Sequence, residues 1–100
     1  MLIILAQAKL GENALDQGRD AIAAMVAASN AEEGCLAYTF TTDVLNPNVL
    51  HIVEKWVDEA ALVAHFQSPH MAAFQQALSG LDVEIVEGTK FQADEGQPIL

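Results

Sequence analysis

Basic residues are scarce in this chain: four Lys and Arg stand against fourteen Asp and Glu, a formal net charge of −10. Such a surface repels phosphate backbones and anionic headgroups, so neither a nucleic-acid nor a membrane partner is expected. Solubility is sufficient reason for the acid excess. Cysteine is nearly absent too. Cys35 stands alone, which rules out an intrachain disulfide and agrees with a reducing cytoplasm, the expected location. Long apolar runs are missing as well. The opening MLIILAQAKL is broken by Gln7 and Lys9 and has no positively charged start, so it reads as neither a signal peptide nor a membrane span. No repeat, glycine-rich phosphate loop, nucleophile elbow or paired-cysteine motif occurs, and Gly18, Gly80 and Gly88 are isolated.

What is present suits one small α+β domain. Of 100 residues, 52% are apolar, enough for a core, yet a domain this small is only marginally stable alone. Residues Leu2 to Leu10 read as a strand, with Leu2, Ile4, Ala6, Ala8 and Leu10 on one face and Ile3, Leu5, Gln7 and Lys9 on the other. Asn13 is expected to cap a helix over about Ala14 to Ala31, and Gly34 to stop it. Cys35 to Val44 reads as a second strand, with Leu36, Tyr38, Phe40, Thr42 and Val44 sharing a face. The turn Leu45-Asn46-Pro47-Asn48 leads into a third strand, Val49 to Val57, completing a hairpin. Asp58 then caps a short helix ending near His65 or Phe66, and Ser68-Pro69 restarts a second one that Gly80 closes. Asp82 to Gln92 is the last strand. Residues 1–92 thus form the domain and 93–100 a tail whose apolar end, Pro98-Ile99-Leu100, is expected to lie on a surface.

The order β-α-β-β-α-β is the ferredoxin-like arrangement, an antiparallel sheet with its helices on one face. The other face is apolar too. Val49, Val53 and Val57 lie opposite Leu50, Ile52 and Trp56, so both sides of that strand need cover. A second copy of the sheet is the economical cover, and a homodimer is expected.

The run Glu54-x-Trp56-x-Asp58-x-x-Ala61, followed by His65-x-x-Ser68-x-His70 and Phe74, resembles the signature of the antibiotic-biosynthesis-monooxygenase family. Glu33-Gly34 before the second strand and the aromatic Tyr38 resemble it as well. The resemblance implies a dimeric α+β barrel made by two facing sheets, with a pocket in each subunit between helices and sheet. It also implies a range of chemistries: quinol and anthrone oxygenation without metal or flavin, haem degradation, or isomerisation of phosphorylated signalling ketones.

Residue types narrow that range. Haem-degrading relatives carry a ligating histidine where this chain has Phe74-Gln75-Gln76, and a strand-one asparagine where it has Gln7. A phosphorylated ketone calls for basic residues, of which only Lys9, Arg19, Lys55 and Lys90 exist. The expected activity is a cofactor-independent monooxygenase acting on a small aromatic quinol or polyphenol and molecular oxygen. Such an enzyme must bind a flat ring, remove a proton and exclude water. His65 and Trp56 are the expected catalytic residues, and Tyr38, Glu54 and Phe74 the expected substrate contacts. Core packing would account for Trp56 and Tyr38 equally well, a structural bond for Glu54, and a bond to helix-end carbonyls for His65. His70 reads as structural or exposed, and His51 as part of the dimer face. No metal is expected, because His65 and His70 are five apart across a proline, unlike an i,i+4 ligand pair. The alternative, from another class, is a non-catalytic small-molecule binding or stress-response module on the same barrel.

Overall fold

The computed structural model describes residues 1–100. The chain forms β1 (Leu2–Leu10), α1 (Ala14–Asn30), β2 (Cys35–Thr42), β3 (Val49–Trp56), α2 (Glu59–Phe66), α3 (Pro69–Leu78) and β4 (Val83–Gln92). The four strands form one sheet in the order β2-β3-β1-β4. Every neighbouring pair is antiparallel. This is the ferredoxin-like order with the second helical segment split in two. No helix is long and apolar enough to cross a membrane.

The split has a local cause. Asp58 caps α2 by accepting a hydrogen bond from the Ala61 amide at 2.9 Å. Ser68 caps α3 in the same way through Met71, and Pro69 occupies its first turn, where a missing N–H costs nothing. Two expected signals work differently. Asn13 sits at φ 68° and its side chain caps nothing, so it contributes tolerance of the left-handed region rather than an oxygen acceptor. Gly34 does not stop α1, which ends at Asn30. Its missing side chain serves packing instead. A Cβ there would clash with the Cβ of Ala61, so only glycine lets this turn lie against α2.

Period-2 alternation holds along β3: Leu50, Ile52, Glu54 and Trp56 are buried against the helices. It fails at the start of β2. A bulge between Cys35 and Ala37 turns Cys35 inward opposite Trp56 and pushes Leu36 out to 54% exposure. Val44, expected on the same face, lies beyond the strand and is exposed. The core has two parts. One joins Leu2, Met25, Tyr38, Trp56 and Leu62. The other joins Ala8, Leu10, Ala14 and Leu50. The opposite face of the sheet carries Ile3, Leu5, Val49, His51, Val53 and Phe91 and is covered by nothing in this chain. Residues 93–100 follow the sheet without regular structure. Ile99 and Leu100 are fully exposed, so the apolar end does not pack on its own chain.

Candidate active site

Three buried polar side chains occur in the molecule: Ser29, Glu54 and His65. All lie at the first part of the core. A buried polar group is costly unless bonded, so each must be accounted for. Glu54, on the inward face of β3, accepts a hydrogen bond from the Trp56 indole Nε1 at 3.0 Å. The two residues are i and i+2 on one strand, which is why they share a face. Ser29 donates to the Met25 sulfur one helical turn back, at 3.5 Å.

His65 is placed by α2, whose apolar side puts the residue inward. Its ring is 1% exposed and does not bond helix-end carbonyls. The hydroxyl of Ser68 satisfies the His65 carbonyl at 2.6 Å instead. The imidazole lies tilted at 4.7 Å from the Trp56 ring and 5.3 Å from the Tyr38 ring, measured between centroids. Its Nδ1 lies 2.6 Å from the carboxylate of Glu32. A carboxylate partner there fixes Nδ1 as the protonated nitrogen of the neutral ring, leaving Nε2 as the acceptor. The same oxygen of Glu32 receives the Nε2 of His70 at 2.9 Å. One carboxylate therefore joins the turn after α1 to α2 and α3.

Glu32 is the residue that sequence reasoning missed. It lies next to the Glu33-Gly34 pair quoted for its resemblance, but outside any strand or helix pattern. The close approach that Gly34 permits is what brings this turn, and Glu32 with it, against α2. His70 is likewise drawn in rather than left idle. It is 23% exposed and bonded.

The electrostatics follow from burial and crowding. Burial pushes the carboxyl of Glu54 above its ordinary range, while the Trp56 N–H and the nearby His65 oppose the rise. Burial, with the charge of Glu54, also pushes the Tyr38 hydroxyl far up, so it remains a neutral donor. Burial and the charge of Glu32 raise the Cys35 thiol, which makes it a poor nucleophile.

The remaining expected residue, Phe74, packs at the edge of this part of the core. It lines an apolar cavity of about 50 Å³ between sheet and helices, with Phe40, Leu50, Ile52 and Ile85. A wider groove of about 540 Å³ runs outside it along α1, bounded by Arg19, Ile22, Phe40 and Thr42. Phe40 meets Phe74 edge to face at 5.9 Å and stacks on Tyr38 at 5.6 Å, so an aromatic chain links the cavity to the polar cluster. His65, Trp56, Tyr38 and Glu54 thus come together, and Phe74 packs at the edge of the same part of the core while also lining the cavity.

The family model for antibiotic biosynthesis monooxygenase matches residues 1–77. The chain belongs to this family. It is 30% identical over 90 residues to the "Probable quinol monooxygenase YgiN" of Escherichia coli, covering 80% of this chain and 86% of that protein. A "putative antibiotic biosynthesis monooxygenase" from Deinococcus radiodurans superposes with a TM-score of 0.89 at 25% identity, over 100% of this chain and 99% of that one. A conserved protein from Methanosarcina mazei shares the fold, with a TM-score of 0.83 at 24% identity over 93% and 92% of the two chains.

Proposed function

We propose that the chain is a cofactor-independent monooxygenase that oxidises a small aromatic quinol or polyphenol with molecular oxygen. The observation that carries this reading is the Glu32–His65 pair held at 2.6 Å beneath Trp56 and Tyr38. Family membership supports the reaction class, and the likeness to a protein described as a quinol monooxygenase supports the substrate class. A hydroquinone can supply all the electrons itself: with one O₂ it gives a hydroxyquinone and one water. The protein must take a phenolic proton to make the ring electron-rich. The acceptor Nε2 of His65 suits that step, with the Glu32 carboxylate on Nδ1 holding the ring in place. Trp56 would stack the flat substrate, Tyr38 would donate a hydrogen bond, and Phe74 would close the apolar wall.

The near-complete burial of His65 favours a second reading. There the cluster is packing, and the fold binds a small molecule without turning it over. Oxygen uptake with a panel of hydroquinones, with and without chelator and flavin, separates the two. Uptake above the blank in chelator, matched by hydroxyquinone formed, is the expected result. A folded protein that consumes no oxygen, yet whose single tryptophan is quenched by the same quinols, belongs to the second reading.

The working unit in this proposal is a cytoplasmic homodimer, each subunit having its domain at 1–92 and a tail at 93–100. The uncovered outer face of the sheet supports the dimer, and the lone free Cys35 supports the compartment. Sedimentation should give twice 10.7 kDa. Val53→Asp, in the middle of that face, should dissociate or unfold the protein, since an unpaired charge in an interface costs on the order of several kcal/mol. A monomeric wild-type chain would remove the dimer from the proposal.

A further inference from the structure

We propose that Glu32, His65 and His70 form a binding site for one divalent transition-metal cation of the zinc or cobalt type. The three residues come from three segments: the turn after α1, the last turn of α2 and the first turn of α3. Their donor atoms all lie within 4.8 Å of one another. Two imidazoles and a carboxylate are a donor set that borderline cations favour, with positions left open for water.

Two of the three donor spacings suit an ion with little rearrangement. Bonds of about 2.0–2.1 Å at right angles put neighbouring donor atoms about 2.9 Å apart, and tetrahedral angles put them about 3.3 Å apart. Glu32 Oε2 already stands 2.9 Å from His70 Nε2 and 2.6 Å from His65 Nδ1. A side-chain shift of a few tenths of an ångström opens both spacings, and the two imidazole nitrogens, within 4.8 Å of one another, draw together around the ion. The His65 ring is buried and lies tilted against the Trp56 and Tyr38 rings, so one ligand is held in place before the ion arrives. Two of the three ligands are partly exposed. Glu32 borders an open cleft of about 630 Å³ with Ala61 and Ala64, and His70 borders another of about 280 Å³ with Met25 and Phe74. The buried carboxylate of Glu54 and the net charge of −10 add attraction for a cation.

Sequence spacing hides this site. Positions 65 and 70 are no i,i+4 pair on one helix, but they sit on two helices that Ser68-Pro69 folds back over Glu32. The claim concerns binding, and it stands whether or not the chain oxidises quinols.

The test uses untagged, chelator-treated full-length protein titrated with Zn²⁺ and with Co²⁺ alone, by calorimetry and by the visible absorption of bound Co²⁺. The expected result is one ion per chain at micromolar concentration and a raised melting temperature, because the ion ties three segments together. His70→Ala and Glu32→Gln should each weaken binding by about a hundredfold or more. His70 is partly exposed, so His70→Ala keeps the test interpretable if the Glu32 variant fails to fold. His51→Gln, which alters the one histidine outside the site, should bind as the wild type does. No binding at a hundred-micromolar order of Zn²⁺, or binding that His70→Ala leaves intact, overturns the proposal.

Discussion

The two ends of the sheet–helix core are built from different materials. The end around Trp56 holds every buried polar group, Ser29, Glu54 and His65, with Glu32 and His70 at its edge. The end around Leu50 is apolar throughout, yet it encloses the cavity between sheet and helices. The cavity between sheet and helices therefore lies at the end without polar groups, while the polar end is bordered by open clefts beside Glu32 and His70. Phe40 spans the two, touching both parts of the core. A ligand admitted at the apolar end would meet the polar end across Phe40 and Tyr38. If this division is real, substitutions at the two ends should fail in different ways.

The largest expected effect is on turnover at the polar end. His65→Ala removes the proposed base, and loss of a general base typically lowers rate by about a hundredfold or more. It also leaves Glu32 with His70 as its only partner, so some stability is lost as well. The measurement is turnover per folded molecule, beside a melting curve on the same sample. Turnover unchanged in a folded His65→Ala protein would make the polar end a packing device. Trp56→Phe should weaken quinol binding with a smaller effect on rate.

At the apolar end the order reverses. Leu50 is buried and borders both the cavity and the groove along α1. Leu50→Ala should cost about 2–5 kcal/mol of stability, because it removes packing and enlarges a void. The folded fraction should keep its turnover to within a few-fold. A urea midpoint that hardly moves would mean this end collapses readily. A turnover loss as deep as that of His65→Ala would erase the distinction between the ends.

The sequence disclosed these two ends unequally. Element order, the inward face of β3 and the caps at Asp58 and Ser68 were legible because they follow from periodicity and local hydrogen bonding. So were Trp56 and Glu54, two residues apart on an otherwise apolar face, where a carboxylate needs a partner. Glu32 was not legible. Nothing local marks it, and its partners lie 33 and 38 residues away. The bulge at Leu36 was equally hidden, since alternation presumes a register that only pairing with β3 sets. Gly34 stands out in the sequence, but its position suggests the wrong role. A glycine after a helix usually ends it, whereas this one makes room for Ala61. The side chains that carry long-range contacts are those a one-dimensional pattern conceals, and here they include the carboxylate that orients the candidate base.

The smallest expected effect concerns the one buried carboxylate at the polar end. Glu54 is 9% exposed, and its carboxyl is held above its ordinary value of 4.5, first by burial and then against the opposing bond from Trp56. A raised folded-state value means that the folded protein holds the proton more tightly than the unfolded chain. Stability from this group is thus greatest at low pH and falls as pH rises from about the ordinary value through the raised one. Asp43 acts in the opposite sense, since its bond to His51 lowers it and its contribution is lost as pH falls. The two must be separated by difference. Glu54→Gln keeps an oxygen to accept the Trp56 N–H, and it cannot ionise. The stability of the variant minus that of the wild type should be flat in acid, rise through the window of Glu54, and level off above it, with Asp43 cancelling. Chemical denaturation at a series of pH values reads this curve directly. A difference that falls with pH would mean the ionised carboxylate is favoured in the folded state, and that the Trp56 N–H and His65 together outweigh burial at the polar end.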